Sequence, residues 1–142
     1  MKRLCLATGL CLLSASGFGL LCPSVKSLNH TLKHHYYQKG DTLPLAHSGF
    51  SKPWVLWFRS GTKILNTTAF YSAEIVSNYP KHIRCTYLYE DARGRTEIYY
   101  VANFDPGPYQ GVSKQRWYVK ALCINPRTST AFCIFKKTHP KK

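Results

Sequence analysis

Hydrophobic and polar positions divide this chain into a leader, a polar stretch and a longer alternating part. Behind Lys2 and Arg3, "LCLATGLCLL" (Leu4 to Leu13) is an apolar run, and "SASGFG" follows with small residues. That is the pattern of a secretion signal, with cleavage expected between residues 16 and 24. A membrane anchor is the competing reading. Ser14, Ser16 and several glycines interrupt the run, and no stop-transfer charge cluster follows it. "SVKSLNHTLKHHYYQKGDT" is polar, basic and only weakly periodic, which predicts a solvated extended arm. In "KPWVLWFRSGTKILN", the apolar run Trp54 to Phe58, a Ser-Gly-Thr turn and the returning Ile64 and Leu65 predict a hairpin.

"NTTAFYSAEIVSNYP" carries Ala69, Ala73 and Val76 at helical spacing, with Asn66, Thr67 or Thr68 available as a cap. Pro80 ends the segment and biases Tyr79 away from helical angles. The spacing predicts a helix within Thr67 to Asn78. The remainder alternates: "HIRCTYLYE", a turn at "DARG", "RTEIYYVANF", the loop "DPGPYQGVSK", "QRWYVKALCIN", a turn at "PRTST", and "AFCIFKK". Four consecutive strands with short turns predict an antiparallel meander. The expected fold class is α+β, one main helix packed on a four-stranded meander preceded by an N-terminal hairpin. The expected organisation is a signal over 1–19, a basic polar arm over 20–51, one domain over 52–137 and a basic tail over 138–142.

Composition narrows the partners. The chain has 142 residues, enough for one compact domain, and 44% of them are hydrophobic, which excludes a disordered class. The formal charge is +14, or +12 once Lys2 and Arg3 leave with the signal, against only six acidic residues. Such an excess favours polyanionic partners, nucleic acid or an anionic surface.

Cysteines and sequons add chemistry. Cys5 and Cys11 fall in the leader, which leaves Cys22, Cys85, Cys123 and Cys133. An even number in a small secreted domain implies two disulfides, with three pairings open. Cleavage after Ser24 would instead leave three cysteines. Their wide spacing does not fit a zinc site, and the pair His34 and His35 has no clustered partner, so no metal and no cofactor are expected. Asn29 and Asn66 stand in N-x-[ST] sequons and are candidate glycosylation sites.

The serial order of these segments resembles the small microbial guanyl-specific ribonucleases over about Asn66 to Lys137. The residues that carry it are "SNYPKHI" after the expected helix, the Tyr99-Tyr100 strand, the loop "PYQGVSK" and the strand start "QRWYV". The chain also resembles the ribonuclease-like secreted effectors of powdery-mildew-type fungi, small Tyr-rich proteins with an N-terminal and a C-terminal cysteine. That resemblance implies a Cys22–Cys133 disulfide; with it goes Cys85–Cys123, linking central strands.

The same resemblance locates a vestigial site. Ribonuclease chemistry of this class needs a base for the 2′-hydroxyl, an acid for the leaving oxygen and a cation for the charged transition state. Arg116 falls at the family's arginine, and Lys81 or His82 at its histidine. Val101 falls where the glutamate belongs, and Glu97 lies four residues earlier, ~13 Å away at ~3.3 Å per residue. The resemblance therefore implies a scaffold that holds phosphate without turning it over. Lys81, His82, Arg84, Lys114, Arg116 and Lys136 are expected to cluster at one end of the sheet and contact RNA, with Tyr99, Tyr109 and Trp117 stacking on bases.

The expected function is that of a secreted virulence effector, monomeric, translocated into host cells or acting around them. It would bind host RNA or a host protein to interfere with defence, and a host immune receptor is a further expected partner. The alternatives are an active secreted ribonuclease or ribotoxin, using Glu97 or Glu90 as base, and a cationic antimicrobial protein acting by charge. A β-sandwich immune modulator is a more distant one.

Overall fold

The computed structural model describes residues 20–33, 36–46, 49–57, 64, 66–112, 117–118, 121–124, 130 and 133–138. Helix α1 spans Val25–Lys33, and eight strands follow: β1 Trp54–Leu56, β2 Asn66–Val76, β3 His82–Glu90, β4 Thr96–Asn103, β5 Tyr109–Gly111, β6 Trp117–Tyr118, β7 Leu122–Ile124 and β8 Phe135–Lys137. Six strands form one sheet in the order β1-β4-β3-β2-β7-β6, while β5 and β8 form a second. All the pairings are antiparallel. The protein is mostly β, and the α+β expectation is corrected.

The expected helix over Thr67 to Asn78 is the long strand β2. Two bulges, between Thr67 and Ala69 and between Phe70 and Ser72, break the period-two alternation that marks a strand. Each bulge inserts one residue into the alternation. The inward side chains Thr67, Phe70 and Ala73 therefore stand three apart, opposite Tyr89, Tyr87 and Cys85, which stand two apart on β3. Its β-branched and aromatic content suits the pleated surface it occupies.

The segment expected to be a solvated arm is folded. Ser24 caps α1, its Oγ accepting from the Ser27 amide at 3.1 Å. Leu28 and Leu32, one turn apart, are buried among core residues while Lys26, His30 and Lys33 stay exposed. Further along, Leu43 donates to the Trp54 carbonyl and Leu56 to that of Asp41, so this segment runs beside β1. The hairpin expected over Lys52 to Asn66 is not formed as read: β1 pairs with β4, and most of its return half lies outside the described residues. His34 and His35 also lie outside them, as do the signal and the tail beyond Thr138.

The meander holds only in its first part. The β3–β4 hairpin is where the alternation put it, with Asp91 accepting from Arg93 and Arg95 in its turn. The chain then leaves the sheet. β5 pairs with β8, and the expected strand "QRWYVKALCIN" is broken into the β6–β7 hairpin, which returns against β2.

Both expected disulfides are corrected. The bonds are Cys22–Cys85 and Cys123–Cys133. Cys85 and Cys123 flank Ala73 on either side, one on β3 and one on β7. Two strand spacings, roughly 10 Å, separate them, beyond the reach of a disulfide. Cys22, just ahead of α1, meets Cys85 on the inward face of β3 instead.

Candidate functional site

At one end of the main sheet two irregular segments face each other. The first joins β2 to β3 and holds Tyr79, Pro80 and Lys81. The second leads from β4 to β5 through Phe104, Asp105, Pro106, Gly107 and Pro108. The Tyr79–Pro80 and Gly107–Pro108 peptide bonds are cis. Between the segments lies a cleft of about 200 Å³. Ile75, Val76, Pro106 and Pro108 give it apolar walls, and Lys81, His82, Asp105 and Tyr109 give it polar ones.

Buried polar groups fix the second segment. The Asn103 side chain donates to the Lys52 carbonyl at 2.7 Å and accepts from the Asp105 amide at 3.0 Å. The Asp105 carboxylate, with 1% of its side chain exposed, accepts from the amides of Ser51 at 2.7 Å and Gly107 at 3.0 Å; the Lys137 ammonium stands 3.8 Å away. Burial pushes the Asp105 carboxyl up, but the Tyr109 hydroxyl beside it and the donating amides of Ser51 and Gly107 outweigh that and hold it well below the usual range. Gly107 is at φ 81°, and a Cβ there would lie 2.7 Å from the Tyr109 amide nitrogen, so only glycine fits. Tyr109 is packed beside Phe50. Burial first, and the Asp105 carboxylate second, push its phenol far up.

His82 opens β3 on the other side of the cleft. Its Nδ1 lies 2.7 Å from the Pro80 carbonyl oxygen, and its ring packs at 5.0 Å on Phe104. Its Nε2 is buried and has no hydrogen-bond partner among the described residues. A buried group left unpaired costs about 1–3 kcal/mol, so such atoms call for an explanation.

The structure brings Lys81, His82 and Tyr109 into one cleft, as their common place at the sheet end requires. Other expected contact residues are elsewhere. Arg84, two residues further along β3, is engaged by Glu74 in an ion pair and lies over the Tyr100 ring at 5.3 Å. Lys136 faces away, because β8 sets Lys137, not Lys136, opposite Tyr109. Lys137 stands behind the cleft's Asp105 and Tyr109 without lining it, its Nζ 3.8 Å from the Asp105 carboxylate and 5.8 Å from the Tyr109 ring centroid.

Tyr99 is fully buried, stacked on Tyr87 at 5.4 Å and bonded to Thr67, so the expectation that it stacks on RNA is corrected. Trp117 is partly buried against Phe135 at 5.1 Å, with its indole nitrogen shielded from solvent. Lys114 and Arg116 lie outside the described residues. Glu97 pairs with Tyr89 at the far end of the hairpin, six residues and ~20 Å along β4 from Asn103. Val101 is fully buried in the core. Asn66 is exposed at the start of β2, whereas Asn29 is partly buried and hydrogen-bonded to Thr67.

Sequence reasoning missed Asp105 and Lys137. The available signal was "DPGP", an aspartate two residues before a glycine, which is the pattern of a carboxylate bonding its own turn. A larger cleft of about 270 Å³ beside the start of α1 includes Ser24, Ser27, Leu45 and Trp54, and among the described residues no ionisable side chain lines it. Among the described residues no group of His, Cys, Asp and Glu could hold a metal ion. No described helix is long and apolar enough to cross a membrane. Comparison with known protein families, with curated proteins and with solved structures finds no match for this chain.

Proposed function

We propose that this chain is a secreted effector that binds RNA through the basic end of its main sheet and does not cleave it. The observation that carries the reading is the gathering of Lys81, His82 and Tyr109 around one cleft, with Lys137 beside Asp105 and Tyr109, in a chain whose formal charge is +14. Cations there neutralise phosphates and release counterions, a driving force indifferent to sequence. The ribonuclease scaffold is not part of the proposal, since a bulged strand stands where that comparison needs its helix.

Turnover would need a carboxylate aimed at a 2′-hydroxyl. Glu97 is at the wrong end of β4, Val101 is apolar, and Asp105 already accepts two backbone amides. Two disulfides suit an oxidising compartment and thereby support secretion. Interference with host defence is the setting proposed from the resemblance to fungal effectors.

The test is anisotropy titration of a labelled single-stranded RNA at about 50 and about 200 mM salt, beside incubation with total RNA. The expected result is binding that weakens steeply with salt, drops on Lys81→Ala with Lys137→Ala, and leaves the RNA intact. Absence of binding at low salt would turn the assignment toward a host protein, and robust cleavage toward an enzyme.

A further inference from the structure

The main sheet has a covered face and an outward one. On the covered side Ile83, Cys85, Tyr87 and Tyr89 of β3 are buried, and α1 adds Leu28 and Leu32 to the same core. The solvent side of such an antiparallel sheet is ordinarily polar. Here a row of side chains crosses it from Trp57, whose amide donates to the Tyr100 carbonyl, through Tyr100, Thr86 and Ser72 to Ile124. Ile98 stands two residues along β4 from Tyr100, opposite Leu88. Trp57 is 37% exposed, Ile124 38% and Ile98 48%, while Leu88 and Tyr100 are half-buried.

Charge singles out the same strands. Residues 66–103, which hold β2, β3 and β4, carry four acids, Glu74, Glu90, Asp91 and Glu97. Lys81, Arg84, Arg93 and Arg95 balance them, so the whole formal charge of +14 lies elsewhere in the chain. On the outward face Arg84 and Glu74 stand opposite each other on β3 and β2 and form an ion pair. A neutral, apolar surface offers a polyanion nothing to neutralise. It is where two copies of a strongly cationic chain meet with little repulsion, and an exposed apolar patch marks such a contact.

We propose that two copies of this chain pair through these outward faces, so that the protein is a dimer rather than the expected monomer. A two-fold axis lying between β2 and β3, parallel to them, makes the contact self-complementary. It sets Arg84 over the partner's Glu74, and Glu74 over the partner's Arg84, so each charge gains a second opposite neighbour. It also sets Tyr100 over the partner's Ile124, in the manner of two sheets packed face to face. Lys39, with its ammonium 5.1 Å from the Trp57 ring centroid, marks the rim of the patch. The contact does not depend on RNA binding, which uses the end of the sheet.

The two associations respond to salt with opposite signs. Salt screens the repulsion between two cationic bodies and so favours an apolar dimer, whereas it weakens phosphate binding.

Sedimentation equilibrium of the secreted protein at about 50 and about 500 mM sodium chloride is the test. The expected result is a dimer whose dissociation constant falls about tenfold at the higher salt. Ile98→Asp changes an exposed side chain and should give a monomer that keeps its thermal midpoint and its RNA binding. Glu74→Arg should also give a monomer, and adding Arg84→Glu should restore the dimer, because exchanging both charges preserves the pairing. A parent protein that is monomeric at about 500 mM salt overturns the proposal. So does a dimer that dissociates as salt rises, or one that survives both Ile98→Asp and Glu74→Arg.

Discussion

Asn29 holds Thr67 by both ends of its amide: Nδ2 donates to the Thr67 carbonyl at 2.9 Å, and Oδ1 accepts the Thr67 amide at 2.6 Å. A side chain here takes the place of a neighbouring strand at the start of β2 and fastens α1 to it. Tyr99 bonds the Thr67 hydroxyl at 2.6 Å on the inward side, so this residue is held from two directions. The sequon at Asn29 conflicts with that arrangement, because a glycan would bond to the nitrogen that meets Thr67. Peptide mapping of the secreted protein is expected to find Asn29 unmodified, and a full-occupancy glycan there would contradict the α1–β2 contact. Asn29→Ala should lower stability by about 1–3 kcal/mol, read as a fall in the thermal midpoint.

The two disulfides are expected to contribute unequally. Cys22–Cys85 closes a separation of 63 residues and Cys123–Cys133 one of 10. On the chain-entropy account these correspond to roughly 4 and roughly 3 kcal/mol. Urea unfolding of Cys22→Ser with Cys85→Ser should show the larger loss. A larger loss from the Cys123–Cys133 pair would mean that strain or residual structure outweighs loop length.

Asp105 predicts an acid limb. Its folded pKa is depressed below the model-peptide value of 3.8, so its contribution is complete above about pH 4 and is lost as pH falls below that toward the depressed value. Asp105→Asn should destabilise by about 1.5–3 kcal/mol at neutral pH. The thermal midpoints of variant and parent should converge as the pH is lowered below 4. Parallel curves would show that the carboxylate carries no such linkage.

Gly107→Ala tests the turn that presents Tyr109. The positive φ and the nearby Tyr109 backbone leave no room for a methyl group, so a loss of more than about 1 kcal/mol is expected, together with weaker RNA binding. Unchanged stability would show that the loop adapts.

Some of this architecture is plain in the residue pattern and some is hidden by it. β3 and β4 are rich in β-branched and aromatic residues and their turn carries Asp91 and Gly94, so their pairing is legible. β2 is not, because two bulges give its inward residues a spacing close to that of a helix. α1 is short, and only Leu28 and Leu32 mark its buried face, too little periodicity to separate it from a polar arm. At the cleft, Lys81, His82 and Tyr109 are legible from chain order. Lys137 is not, since choosing between it and Lys136 requires the register of β8 against β5. The disulfides follow from which cysteines share an inward face across adjacent elements, which residue spacing does not encode.

The antiparallel bridge between Leu20 and Phe135 bears on maturation. Leu20 exchanges two backbone bonds of 2.9 Å with Phe135, and Cys22 follows it into a disulfide. A peptidase cutting after Ser24 would remove the bridge and the residue that caps α1, and would leave Cys85 as a free thiol within the core. Cutting upstream of Leu20 keeps all three. Under the secretion proposed above, the fold sets a downstream limit on the expected processing site, and N-terminal sequencing of the exported protein is expected to begin at or before Leu20.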